Sequence, residues 1–199
     1  MSALFSPYAI GNLTLPNRIV IAPMCQYSAE DGNATDWHMI HLGQLAESGA
    51  GMLVIEATAV EAIGRISPAD VGLWSDANEA ALGRVLEGVR KYSAMPIAIQ
   101  LAHAGRKASS AVPWAGGQLL SPAAGGWPTV APSALKYLPD EAAPLALDAA
   151  GLVRIRRDDS QGGVQWKADC ALTFRNFTRE EFDVVMGQPD WTPGGQDYE

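Results

Sequence analysis

The chain has 199 residues, which is the length of one globular domain or of one domain with a short appendage. Apolar residues make up 48% and charged residues 18%, enough for a hydrophobic core, so the composition excludes a wholly disordered chain. The 22 acidic residues exceed the 14 basic ones and give a net charge of −8. Because this charge repels phosphates and anionic lipids, we expect no nucleic-acid partner and no membrane partner.

Location is predicted from the N-terminal residues and from the cysteines. Residues 1–7 show no basic segment followed by a long apolar one, which predicts the absence of an export signal and a cytoplasmic protein. The two cysteines, Cys25 and Cys170, are too few for a disulfide framework. We therefore expect both to be free thiols.

Strands are predicted from short apolar segments bounded by glycine or proline. Residues 5–15, with Gly11 and Asn12 at the turn, predict a β-hairpin. Three uninterrupted apolar runs follow at Ile19–Ala22, Met52–Ile55 and Ile97–Ile99. Uninterrupted runs of this kind are typical of parallel strands that are buried on both faces.

Helices are predicted between these strands. Residues 37–48 have apolar positions at helical spacing, with Asp36 as the predicted N-cap. A second helix is predicted to begin at Asp76, where Asp76 and Glu79 resemble a capping box. The resulting order, β-α-β-α-β, predicts an α/β fold with a parallel sheet.

The remaining chain divides at about residue 158. Residues 108–144 are rich in proline and glycine and predict a long loop, and a further helix is predicted over 148–157. Residues 159–199 carry only one weak helical pattern. We therefore predict a folded unit over 1–158 and a separate tail over 159–199.

Chemistry is expected where the parallel strands end, because functional groups gather at their carboxyl ends. The first strand is followed by Cys25 and Tyr27, and the third by Gln100 and His103. A carboxamide offers a donor and an acceptor side by side, which matches a heterocycle edge with N–H beside a carbonyl. The alternative for the thiol is that Cys25 is simply a small buried residue, as free cysteines often are.

Five segments of the chain are informative in their order and spacing: Ile19–Tyr27, Asp36–His41, Ile55–Val60, Gly64–Arg65 and Gln100–Lys107. Together they resemble the Old Yellow Enzyme family, and most closely its branch of bacterial xenobiotic reductases. The resemblance covers about residues 4–158.

The resemblance implies a (β/α)₈ TIM-barrel fold, of which this chain contains the N-terminal part. It also implies that FMN is the cofactor and that hydride passes from NAD(P)H through the flavin to a small molecule, an activated alkene or a nitro compound. Pro23 and Met24 would lie beside the flavin, and Ala57 would lie against its ring. Gln100 would bind the pyrimidine edge.

The same resemblance implies two catalytic residues. Cys25 would lie near the reactive edge of the flavin, and Tyr27 would face the substrate. His38 and His41 are predicted to be structural, because two histidines without cysteine or carboxylate partners make a poor metal site. No metal is therefore expected. For His103, packing beneath the cofactor and contact with it are both left open.

A second hypothesis comes from the part of the family pattern that is missing. The family has a pair of substrate-binding histidines and a proton-donating tyrosine after its fourth strand, whereas no histidine follows His103 here. Phosphate loops usually follow strands seven and eight of such barrels. The alternative is a truncated, catalytically silent half-barrel that binds weakly or self-associates, and a homo-oligomer is one form this would take.

Overall fold

The computed structural model describes residues 2–161 and 172–173. In chain order the strands and helices are β1 (Tyr8–Ile10), β2 (Leu13–Leu15), β3 (Val20–Ile21), α1 (Asp36–Ala46), β4 (Met52–Ala59), α2 (Asp76–Arg90), β5 (Ile97–Ala102), β6 (Val130–Ala131), β7 (Leu145–Ala146), α3 (Ala149–Gln161) and β8 (Leu172–Thr173). Short 3₁₀ helices lie in several of the connections.

The central sheet is parallel, as the uninterrupted apolar runs predict. Its strand order is β3-β4-β5-β8, and each neighbouring pair is parallel. The predicted hairpin is also confirmed, because β1 and β2 pair antiparallel around Gly11, which has a φ of 53°. The small parallel pair of β6 and β7 was not predicted, and it lies at the end of the long loop.

Local capping explains where the first two helices begin. The N-cap of α1 is Thr35, so the prediction of Asp36 as the cap is wrong. His38 completes the capping box, since its Nδ1 accepts the Thr35 N–H at 3.0 Å. Helix α2 is capped by Ser75, whose hydroxyl accepts the Asn78 N–H at 3.3 Å, and Asp76 is its first residue.

The core lies between the sheet and helices α1 and α2. Alternating strand residues enter it, such as Leu53 and Ile55 on β4 and Ile99 on β5. The helices add side chains at helical spacing, among them Leu82 and Val85, which are at most 1% exposed. The helices therefore cover one face of the sheet.

Strand β4 carries a β-bulge at Glu56. Ile55 pairs with Ile99 and Ala57 pairs with Gln100, so Glu56 is one residue too many in this ladder. Because side chains alternate along a strand, Gln100 lies on the face opposite to Ile99 and the helices. The bulge therefore brings Ala57 to that opposite face, beside Gln100.

The predicted division of the chain stays a prediction. Helix α3 runs across residue 158, and β8 lies within the predicted tail and pairs with β5. Most of residues 159–199, including Cys170, lie outside the described residues. Among the described helices, none is both long enough and apolar enough to cross a bilayer.

Core packing can be tested with Leu82→Ala. Leu82 is 1% exposed, and alanine favours the helix, so the loss of stability reports the core alone. We expect the free energy of unfolding to fall by ~2–5 kcal/mol in urea titrations. The matched control is Leu135→Ala at a site that is 65% exposed, with a change below about 0.5 kcal/mol. Equal effects of the two substitutions would contradict the assigned core.

Candidate functional site

Three of the predicted site segments meet at the carboxyl ends of β3, β4 and β5. Ala57 and Gln100 are direct partners in the β4–β5 ladder. The backbone N–H of Ala57 acts on the Cys25 thiol and partly offsets the rise in its pKa that burial causes, so the two residues are neighbours although they belong to different segments. The structure therefore brings Cys25, Ala57 and Gln100 together.

The exposure of these residues suits contact with a ligand. Met24 is 53% exposed, Pro23 and Ala57 are half-buried, and the Gln100 side chain is exposed. Among the described residues, the Gln100 carboxamide has no hydrogen-bond partner. Both its donor and its acceptor are therefore available in the second half of β5, whose other residues are buried or half-buried.

The turn after β3 is held by hydrogen bonds of Gln26 to β4, to the turn itself and to α1. The Gln26 N–H donates to Glu56 Oε1 at 3.0 Å, and the Gln26 side-chain amide donates to the Met24 carbonyl at 2.8 Å. The Gln26 side-chain oxygen Oε1 also accepts the Trp37 indole N–H at 3.1 Å, which ties the turn to α1. Tyr27 has a φ of 50°, an uncommon conformation for a bulky residue.

Tyr27 is packed against an aromatic residue from the long loop. Its ring meets Trp114 edge to face, with centroids 5.6 Å apart and an interplanar angle of 85°. Trp114 lies in the long loop and is 73% exposed, so this contact joins a surface loop to the site. Burial raises the pKa of the Tyr27 phenol, and the neighbouring Cys25 adds to that shift.

Burial and the acidic side chains around Cys25 favour the protonated form of its sulfur. Burial is the largest cause and, with Asp70 and then Glu56, raises the pKa of the Cys25 thiol to about 11. Asp70 itself is 2% exposed and accepts hydrogen bonds from Ser67. Burial also raises the pKa of Glu56 to about 7, so the site holds a carboxyl group that titrates near neutrality.

His38 is buried against Glu56. Its Nδ1 accepts a backbone N–H, so in the neutral ring the proton lies on Nε2, 3.7 Å from Glu56 Oε2. Burial, with a smaller contribution from His41, lowers the pKa of His38 to about 4. Within the described part of the chain, no three His, Cys, Asp or Glu side chains are placed to hold a metal ion.

His103 belongs to a separate cluster. Its Nδ1 accepts the Gly105 N–H at 3.0 Å, and its Nε2 donates to Glu61 Oε1 at 2.8 Å. Glu61 also pairs with Arg154, so the cluster joins α3 to the end of β4. At Gly64, an added Cβ would lie 2.9 Å from the His103 ring, so this glycine permits the packing of the imidazole.

Sequence reasoning missed Asp70 and Trp114, and it placed Glu56 after the second strand without giving it a role. The sequence signal for Glu56 was an acidic residue directly after the run Met52–Ile55, where a buried strand continues. Asp70 and Trp114 come from loops, and their approach to Cys25 and Tyr27 depends on tertiary structure.

The chain is similar to known flavin oxidoreductases. The family described as NADH:flavin oxidoreductase / NADH oxidase matches residues 3–127, more than half of the chain. An NADH:flavin oxidoreductase of Gibberella zeae is 49% identical over 135 residues, covering 66% of this chain and 32% of the relative. An NADPH dehydrogenase of Listeria welshimeri is 42% identical over 160 residues, covering 79% and 43% respectively.

Solved structures are similar over the same region. Morphinone reductase superposes with a TM-score of 0.62 at 32% identity, over 80% of this chain and 43% of that protein. The Old Yellow Enzyme homologue of Zymomonas mobilis gives a TM-score of 0.63 at 26% identity, over 81% and 44%.

The structural neighbours show the fold, and the family model shows the family. The chain spans about a third to under a half of the length of the curated relatives it matches. Its parallel sheet and helices correspond to part of a (β/α)₈ TIM barrel, as the resemblance predicts. The chain belongs to the NADH:flavin oxidoreductase / NADH oxidase family, which is the Old Yellow Enzyme family.

Proposed function

We propose that this chain is the FMN-binding part of an oxidoreductase that reduces small molecules with NAD(P)H. The observation that carries the proposal is the pairing of Ala57 with Gln100, beside the Cys25 sulfur, at one end of the parallel sheet. The β4 bulge places Ala57 on the face of Gln100, so a backbone surface and an unpaired carboxamide stand next to each other.

The residues present fit the isoalloxazine ring of FMN. The Gln100 carboxamide would bind the pyrimidine edge, because it presents a donor and an acceptor to a ring N–H beside a carbonyl. Pro23, Met24 and Ala57 would hold the ring by their backbone. When bound, FMN supplies the redox chemistry, taking hydride from the nicotinamide and giving it to the substrate.

Two side chains are proposed as catalytic residues. Cys25 would contact the ring as a neutral thiol, because burial and nearby carboxylates hold its pKa near 11. A neutral sulfur adds a polarizable group without adding charge, and thereby tunes the reduction potential of the flavin. Tyr27 would face the substrate with a protonated phenol, since its pKa is raised, and would donate a hydrogen bond to it.

The co-substrate and substrate classes are further parts of this proposal. The relatives include NADPH dehydrogenases, and morphinone reductase has been solved in complex with tetrahydroNAD. We infer NAD(P)H as the hydride donor, and activated alkenes or nitro compounds as acceptors. The cytoplasm is the proposed compartment, because the free Cys25 thiol fits a reducing environment.

Self-association without turnover is the second candidate function. In the described part of the sheet, β3 is an edge strand, and its Val20 is 44% exposed next to the exposed Met24. Open apolar edges of this kind pair readily with other chains. The chain would then act as a partner for further copies of itself.

Flavin binding through Gln100 can be tested with Gln100→Ala. FMN and riboflavin share the ring, so the substitution should weaken both by the same factor. Loss of two hydrogen bonds predicts roughly a 5- to 150-fold rise in Kd. Flavin fluorescence titration measures both constants.

Gln44→Ala is the matched control, because Gln44 is an exposed glutamine on α1. It should leave both constants unchanged. Failure of the unaltered chain to bind riboflavin or FMN, or an effect of Gln100→Ala equal to that of the control, contradicts the proposed flavin site.

The state of Cys25 can be tested by its alkylation rate against pH. Because its pKa is raised to about 11, the thiolate fraction at pH 7 is small, and the rate should rise about tenfold per pH unit up to pH ~10. The urea-denatured chain is the control and should react roughly a hundredfold faster at pH 7. The denatured, unreduced chain should also titrate as two free thiols. Equal rates in the folded and denatured chain would contradict the assigned environment.

Self-association can be tested by sedimentation velocity. If β3 is the contact, the unaltered chain should sediment above the monomer mass, and Val20→Lys should return it to the monomer. Leu135→Lys is the control, since Leu135 is also exposed but lies in the long loop. A monomer at every concentration of the unaltered chain rejects the second candidate.

A further inference from the structure

Glu56 is a buried acid to which the flavin contacts give no role. It is 3% exposed, and a carboxyl group is rarely so buried unless it is paired with another group. In the β4 bulge, Glu56 and Ile55 together lie opposite a single residue of β5, Ile99. Bulges re-aim side chains, and this one directs a carboxylate toward the turn after β3 and toward α1.

The two oxygens of Glu56 contact two different segments. Oε1 accepts the backbone N–H of Gln26 at 3.0 Å, between Cys25 and Tyr27. Oε2 lies 3.7 Å from His38 Nε2, a buried nitrogen for which the described part of the chain offers no hydrogen-bond partner. The Thr35 N–H fixes Nδ1 as an acceptor, so Nε2 carries the proton that faces the carboxylate.

The turn held by Glu56 is one that needs support. Tyr27 has a φ of 50°, and such a conformation in a bulky residue persists only when its surroundings hold it. The Gln26 N–H immediately precedes Tyr27, and its acceptor comes from β4, thirty positions along the chain. The position of Tyr27 therefore depends on a buried side chain of the neighbouring strand.

We propose that Glu56 is a positioning residue of the flavin site: its Oε1 fixes the turn that carries Cys25 and Tyr27. The inference rests on the proposed function in that this turn is the one that would meet flavin and substrate. The Glu56 charge also raises the pKa of the Cys25 thiol, after burial and Asp70, so the length and the charge of the side chain have separate effects.

In the described part of the chain, few charged and titratable groups act on Cys25 or face Glu56, so the effects of side-chain length and charge can be measured separately. Asp70 and Glu56 both act on Cys25, with Asp70 the stronger, and Tyr27 is the neighbouring phenol. Glu56 itself faces His38 from α1 and Asp70 from the loop before α2. The next histidine, His41, acts on His38.

Two substitutions at Glu56 test length and charge independently. Glu56→Gln keeps an oxygen at the same reach, and this oxygen should go to the Gln26 N–H because that contact is the shorter one. Glu56→Asp keeps the charge but withdraws the oxygens by one methylene. Glu47→Gln is the control, since Glu47 is an exposed acid at the C-terminal end of α1.

The first readout is hydrogen exchange of the Gln26 amide. We expect protection in the unaltered chain, in Glu56→Gln and in Glu47→Gln, and about tenfold or faster exchange in Glu56→Asp. The second readout is the pH midpoint of Cys25 alkylation, followed on the Cys25 peptide by mass spectrometry so that Cys170 does not contribute. We expect Glu56→Gln to lower this midpoint by ~0.5 pH units or more, and Glu56→Asp to leave it near the original value.

In this crosswise pattern, Glu56→Asp changes only the Gln26 exchange and Glu56→Gln changes only the alkylation midpoint. A general loss of structure would instead change both readouts in both variants. Unchanged Gln26 exchange in Glu56→Asp overturns the positioning role, and an unchanged midpoint in Glu56→Gln overturns the role of the charge. Both readouts are made without flavin. If FMN and riboflavin fail to bind while the crosswise pattern holds, the proposed function fails and the role of Glu56 stands.

Discussion

Between Ile55 and Ala57, strand β4 carries one residue more than strand β5 needs, and the faces of the site depend on it. Without the bulge, the register would continue and Ala57 would pair with Leu101, on the face that the helices cover. A shift of one residue moves a side chain to the other face of a sheet. With the bulge, Ala57 lies beside Gln100 on the face away from α1 and α2.

The same bulge supplies the carboxylate that steadies the turn after β3. A left-handed φ at Tyr27 costs roughly 1–2 kcal/mol, whereas a hydrogen bond to a charged group contributes about 1.5–3 kcal/mol. The Gln26–Glu56 bond is therefore large enough to offset the strain while Glu56 is ionised. The edge-to-face contact with Trp114 adds a further ~0.5–1.5 kcal/mol on the other side of the Tyr27 ring.

The sequence predicts the parallel sheet and both core helices, because apolar runs and helical spacing are local patterns that burial requires. It predicts the meeting of Cys25, Ala57 and Gln100 only through the rule that parallel strands end at one edge. The bulge escapes such reasoning, since it depends on how β4 pairs with β5 and not on either strand alone. From the sequence, Glu56 is consequently predicted to follow the strand, although β4 continues to Ala59.

Glu56 and His38, which are buried next to each other, make the free energy of unfolding change with pH in opposite directions. The pKa of Glu56 is raised to about 7, so its contribution is full below its unfolded pKa and is lost as the pH rises toward 7. The pKa of His38 is lowered to about 4, so its contribution is full above its unfolded pKa and is lost as the pH falls toward 4. Each shift corresponds to about 3 kcal/mol, and the two windows overlap at mildly acidic pH. Because folded and unfolded chains both hold one proton on the pair there, the fold can bury an acid beneath its site without making its stability depend on pH in that range.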